Sequence, residues 1–132
     1  MHKRFDPIEG LTSIIIEAVM SSEDMPADEG LLFKIRLAVE EAVENIVNYA
    51  YSDRAGYLEA DTSVKDGVLS IVLQDAGVPF NPLDKEDPDV TLSAEDRPIG
   101  GLGIFLCKKL MDSVEYEFIN GCNKLTIRKR IA

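Results

Sequence analysis

The stretch from about Ala27 to Tyr51 constrains the fold more than any other. Leu31, Ile35, Ala38, Val39, Ala42, Val43, Ile46 and Ala50 fall on one broad arc at about 100° per residue, which predicts a long helix with one face committed to a core. Glu40, Glu44 and Asn48 lie on the opposite side. Glu41 and Asn45 sit at the edge of the arc, one turn apart, where side chains can line a cleft beside the core instead of pointing into bulk water. After Gly56 the period changes to two. Leu58, Ala60, Thr62 and Val64 share one face of a strand, Asp66-Gly67 signals a tight turn, and Leu69, Ile71, Leu73 and Asp75 line one face of a second strand.

The remaining chain extends this pattern. The opening, to about Phe5, reads as a short strand, and Ile8 to Met20 carries Leu11, Ile14, Ile15, Ala18 and Val19 at helical spacing. Ser21 to Asp28 is a polar break containing Pro26. Residues 76–100 break regularity with Pro79, Pro82, Pro88 and Pro98 and many acids; about 25 residues without regular structure is a length that suits a lid or binding loop. A further helix is expected from Gly103 to Met111, with Ile104, Leu106, Cys107, Leu110 and Met111 on one side. Val114, Tyr116 and Phe118 then alternate, Asn120-Gly121 marks a second hairpin, and Leu125 and Ile127 begin the return strand. The sum is a single α+β domain over 1–132, with helices on one face of a mostly antiparallel mixed sheet in a two-layer α/β sandwich.

Composition narrows the chemistry. In 132 residues there are 24 acidic and 14 basic side chains, a formal charge of −10, which argues against a nucleic acid as partner because phosphodiester binding rests on Lys and Arg. A single nucleotide stays open, since backbone N–H groups and a metal ion can hold its phosphates. His2 is the only histidine and is expected at a frayed end, which disfavours a His-based triad, a His-ligated zinc site or a phosphoaccepting histidine in the core. Cys107 and Cys122 are too few for a disulfide scaffold and read as reduced thiols of a cytoplasmic protein. No stretch approaches ~20 consecutive apolar residues, so no membrane span is expected, and the N-terminus lacks the features of a secretory signal.

Three local patterns carry chemistry. Glu41 and Asn45 project side by side; a carboxamide oxygen can ligate Mg²⁺ and a carboxylate can take a proton from an attacking hydroxyl. Asp75-Ala76-Gly77 ends an apolar strand; an ionised Asp there can accept a hydrogen bond from the exocyclic amine of adenine and would repel the carbonyl that guanine presents. Gly77 is expected to let the backbone approach the base ring. Gly100-Gly101-Leu102-Gly103 opens a helix, where successive N–H groups bind phosphate; its spacing matches neither a Rossmann fingerprint nor a Walker A loop. Each pattern alone also fits a plain structural role: a solvated helix edge, a turn-starting Asp-x-Gly, a helix cap.

Together, and in this order, the patterns resemble the Bergerat-fold ATPase superfamily, and within it the small anti-sigma-factor branch of RsbW-type serine kinases. The resembling stretches run from Leu37 to Tyr51, from Gln74 to Pro82, and from Pro98 through Gly103-Ile104 to Asp112. The resemblance implies that Glu41 is the catalytic carboxylate and that Asn45 ligates Mg²⁺. It implies that Asp75 and Gly77 bind adenine, with Thr126 on the last strand supporting Asp75, and that Gly100, Gly101, Leu102 and Gly103 wrap the phosphates under a 76–100 lid. Tyr49 stands where many relatives carry His. The implied activity is transfer of the ATP γ-phosphoryl group to a serine of a STAS-domain anti-sigma factor antagonist, with a sigma factor as the other partner. A homodimer is also implied, to which the helix face at Ile14 and Ile15 is available. Two alternatives stay open: a nucleotide-binding regulatory module without phosphotransfer, and a histidine-kinase-type catalytic domain acting in trans.

Overall fold

A computed structural model describes residues 1–51, 55–84 and 101–132. Five strands, β1 (His2–Phe5), β2 (Leu58–Lys65), β3 (Val68–Asp75), β4 (Ser113–Ile119) and β5 (Cys122–Arg130), form one sheet in the order β1-β2-β3-β5-β4. Three helices, α1 (Thr12–Met20), α2 (Glu29–Tyr49) and α3 (Gly101–Leu110), complete the described elements. This is the expected α+β sandwich with one refinement. All four described strand pairings are antiparallel, so no parallel pair makes the sheet mixed.

Local chemistry sets the element ends. The Asp28 carboxylate accepts from the Leu31 N–H at 2.8 Å and caps α2, which starts two residues later than the apolar arc alone suggests. Asp66 and Gly67 (φ 52° and 78°) and Asn120 and Gly121 (φ 54° and 77°) hold the left-handed pair that two-residue hairpins require. Helix α3 begins at Gly101, two residues ahead of expectation, so the glycines form its first turn. His2 is not frayed: it pairs with Asp61 across the β1–β2 ladder, and its ring meets the Asp61 carboxylate.

The core lies between the helices and one sheet face. Leu58, Ala60, Leu69, Ile71, Leu73, Leu125 and Ile127 from the strands meet Ile15, Val19, Ile35, Ala38, Val39, Ala42, Val43 and Ile46 from α1 and α2. Each fully buried aliphatic side chain contributes about 1.5–3 kcal/mol. Ile15 belongs to this core, so of the two residues expected to offer a dimer face only Ile14 is exposed. Cys107 and Cys122 are both free thiols. Cys107 is buried and its Sγ–H reaches the Ala38 carbonyl at 3.2 Å, tying α3 to α2. No helix among the described residues is long and apolar enough to cross a membrane.

The end of α2 is locked to the end of β3. The Val78 N–H donates to the Ala50 carbonyl at 2.9 Å. The Tyr51 hydroxyl donates to the Tyr57 carbonyl at 2.6 Å and accepts from the Ala76 N–H at 2.9 Å. Gly77 is in contact with the Ala50 carbonyl, and a β-carbon at Gly77 would overlap it. The glycine is therefore demanded by helix–strand packing, a reason the sequence pattern did not supply. Gly77→Ala is expected to cost about 1–3 kcal/mol and to lower the thermal midpoint by several degrees, read by circular dichroism; an unchanged midpoint would contradict this packing.

Candidate functional site

Alternation along β3 puts Leu69, Ile71 and Leu73 into the core, and the same phase carries Asp75 inward to 3% exposure. Its Oδ1 accepts from the Gly77 N–H and from the Asn123 amide, each at 2.9 Å. Burial nonetheless pushes the Asp75 carboxyl above its ordinary range, the two hydrogen bonds opposing that shift only in part. Among the described residues Oδ2 accepts no hydrogen bond, which leaves one carboxylate oxygen for a donor outside the protein.

Asp75 forms part of the wall of a cavity between the second half of α2 and the ends of β3, β5 and β4. Apolar walls come from Ile46, Ala50, Leu73, Val78, Phe80, Pro82 and Leu125, and polar groups from Asn45, Asp75, Tyr116 and Asn123. A mostly apolar slot with a few converging polar groups has the composition of a small-ligand site. Tyr49 stands at this cavity and stacks on Phe80, ring centroids 6.1 Å apart and planes 30° apart.

The expected site residues divide into three groups. Asn45 and Asp75 line the cavity together. Glu41 lies outside its walls, one turn nearer the start of α2, half-buried beside α3. Its carboxyl is raised by desolvation first and by Glu44 and Glu40 second. Deep burial of Cys107 first, and the Glu41 charge second, push the Cys107 thiol up to about 12. Gly101, Leu102 and Gly103 form the first turn of α3, whose N–H groups have no partner within the helix, while Gly100 and the stretch 85–100 lie outside the described residues.

Two expectations are corrected. The described start of the expected lid, residues 76–84, is structured: residues 76–78 are bonded to Ala50, Tyr51 and Asp75, and Pro82–Asp84 is a short 3₁₀ turn with the Leu83 N–H on Asn81 Oδ1 at 2.9 Å. Thr126 does not support Asp75. It pairs with Val72 and Glu115 on the other face of the sheet, where it borders a polar depression with Lys124 and Arg128. The residue across from Asp75 is Asn123. The signal was in the sequence, because Leu125 and Ile127 fix the inward phase of β5 and that phase includes 123 and excludes 126.

The chain is similar to known proteins along most of its length. The chain is 24% identical over 123 residues to the anti-sigma F factor of Clostridium kluyveri, covering 93% of this chain and 85% of that one. It is 33% identical over 85 residues to the serine-protein kinase RsbW of Bacillus cereus, covering 61% of this chain and about half, 53%, of that relative. Among solved structures, the blue-light-activated histidine kinase of Erythrobacter litoralis shares the fold at a TM-score of 0.62 and 17% identity, over 95% of this chain and 42% of that one. A model of the histidine kinase-like ATPase domain matches residues 11–129. With all but the edges of the sandwich inside that match, the chain belongs to the histidine kinase-like ATPase domain family.

Proposed function

We propose that this chain is an ATP-dependent protein serine/threonine kinase and anti-sigma factor. It transfers the γ-phosphoryl group to a serine of a STAS-domain antagonist and binds a sigma factor. The carrying observation is that Asn45 and Asp75, from a helix and a strand far apart in sequence, line one cavity, with Glu41 one helical turn beyond. The names of the relatives, an anti-sigma F factor and the serine-protein kinase RsbW, support the same reading.

In this mechanism adenine enters the apolar slot and its exocyclic amine donates to Asp75 Oδ2. The triphosphate runs along α2 toward the N–H groups at the start of α3. The donor set suits Mg²⁺, a hard cation that takes oxygen ligands and keeps several waters: Asn45 offers a carboxamide oxygen at the cavity wall, and Glu41 adds negative charge one turn away. A bound Mg²⁺ neutralises charge on the phosphate oxygens. Glu41 orients the serine hydroxyl and takes its proton as the hydroxyl oxygen bonds to the γ-phosphorus and the bond to the β–γ bridging oxygen breaks, releasing ADP. Desolvation raises the Glu41 carboxyl and so makes it a stronger base than a solvated glutamate.

Incubation with γ-labelled ATP and the antagonist tests this. Glu41→Gln should bind ATP within about threefold of wild type and lose about 10²–10⁴ of the transfer rate. Equal labelling by Glu41→Gln would overturn the role of Glu41, and ATP binding without any label on the antagonist would favour a nucleotide-governed interaction module. Excess chelator should weaken ATP binding by about tenfold or more, since a divalent ion supplies several kcal/mol of phosphate charge stabilisation. Asp75→Asn should separate binding from stability. The raised Asp75 carboxyl means that the unliganded fold is destabilised once this group is ionised, the loss setting in above the unfolded-state value and complete once pH has risen through the folded-state value. The variant should therefore melt at or above the wild-type temperature at pH 7, with the gap narrowing as pH falls through the carboxylate range, while ATP affinity measured by calorimetry drops by about tenfold or more.

A further inference from the structure

Asn123 makes more side-chain hydrogen bonds around the cavity than any other described residue there. Its Nδ2 donates to Asp75 Oδ1 at 2.9 Å and to the Val78 carbonyl at 2.9 Å, with the Gly77 carbonyl at 3.4 Å. Its Oδ1 accepts from the Phe80 N–H at 3.1 Å and from the Tyr116 hydroxyl. A carboxamide has two N–H donors and one oxygen with two lone pairs, so this set uses its full capacity. The amide orientation is also fixed. The Phe80 N–H can only donate and the Val78 carbonyl can only accept, so turning the amide over would break both bonds. At 6% exposure, with no polar capacity left, Asn123 does not itself recognise a ligand.

We propose that Asn123, held in orientation by Tyr116, is the positioning residue for nucleobase recognition: it pins Asp75 by Oδ1 so that Oδ2 faces the cavity, and it anchors the 78–80 segment that walls the same space. The inference rests on the reading of this cavity as the adenine site. Neither aspartate nor alanine repeats the arrangement. Aspartate would set a second carboxylate against Asp75 and against the Val78 carbonyl. Alanine would release Asp75 to rotate about its side-chain torsions and would leave the Phe80 N–H without this acceptor. Removing the clamp should therefore damage recognition of the exocyclic amine more than it damages binding of the purine ring and phosphates.

That difference gives a readout that general loosening of the fold would not move. Affinities for ATP and for purine riboside triphosphate, which lacks the 6-amino group, are measured by calorimetry with Mg²⁺ on the full chain. Wild type should prefer ATP by about tenfold or more. In Asn123→Ala the preference should fall to within about threefold of unity, and Tyr116→Phe, which keeps the ring, should shift it in the same direction by a smaller factor. If Asn123→Ala does not fold, Tyr116→Phe carries the test alone. Variants that weaken both ligands equally and keep the wild-type preference would overturn the positioning role. Failure of wild type to bind either nucleotide would overturn the adenine-site reading itself, a separate and recognisable outcome.

Discussion

A carboxylate at the end of an otherwise apolar strand face is costly to bury, and much of the architecture around Asp75 follows from that cost. Its neighbours in phase are Leu69, Ile71 and Leu73, all fully buried, and among the described residues it has no cationic partner. Desolvating one ion costs several kcal/mol unless hydrogen bonds replace water. The chain supplies two such bonds, one from the Gly77 N–H two residues on and one from Asn123 on the neighbouring strand. The first requires the chain to turn sharply at once after β3. The second requires β5 to pair with β3 in the register that sets Asn123 opposite Asp75. The two bonds converge on one oxygen, so among the described residues the other accepts none.

The sharp turn explains the helix contact as well. Turning at 76–78 drives the backbone into the end of α2, where Gly77 meets the Ala50 carbonyl and Val78 bonds to it. Helix α2 therefore serves three purposes along its length. Its apolar arc builds the core, its end braces the strand-end turn, and the edge between them carries Glu41 and Asn45. On the proposed reading, a rigid helix sets the spacing of Glu41 and Asn45 along the cavity, which suits a reaction whose rate depends on in-line placement.

The sequence made the scaffold legible because its signals are local. A period of 3.6 changing to 2 at Gly56, and the two hairpin pairs Asp66-Gly67 and Asn120-Gly121, specify elements with no knowledge of tertiary structure. Asn45 and Asp75 were legible as candidates because their faces are set by those same periods. What was missed depends on contacts between elements. The packing demand at Gly77 comes from Ala50, 27 positions earlier by number, and the order in 76–84 comes from bonds to Tyr51 and Asn123. Thr126 and Asn123 differ in another way. The phase of β5 is readable from Leu125 and Ile127 and sets 123 inward and 126 outward, whereas the family resemblance points to the hydroxyl. Ile14 and Ile15 show the same limit on a helix, where adjacent residues point about 100° apart and only one of the two reached the core.

On the proposed reading the chain handles a triphosphate, and among the described residues no lysine or arginine lines the cavity. The formal charge is −10, and α2 alone sets Glu40, Glu41 and Glu44 near the path a triphosphate would take, close enough that the first and last both push the Glu41 carboxyl upward. The same crowding that disfavours an unneutralised triphosphate keeps Glu41 basic. A cation delivered with the nucleotide, and backbone N–H groups at the start of α3, relieve the first effect without removing the second, because neither adds a permanent positive side chain beside the base. A lysine or arginine in that position would hold phosphate more firmly and would also lower the Glu41 carboxyl toward the solvated value. On the proposed reading, the surroundings of α2 fit a site in which the cation that balances the ligand arrives with it, and in which the Glu41 carboxyl is raised first by desolvation and then by Glu44 and Glu40.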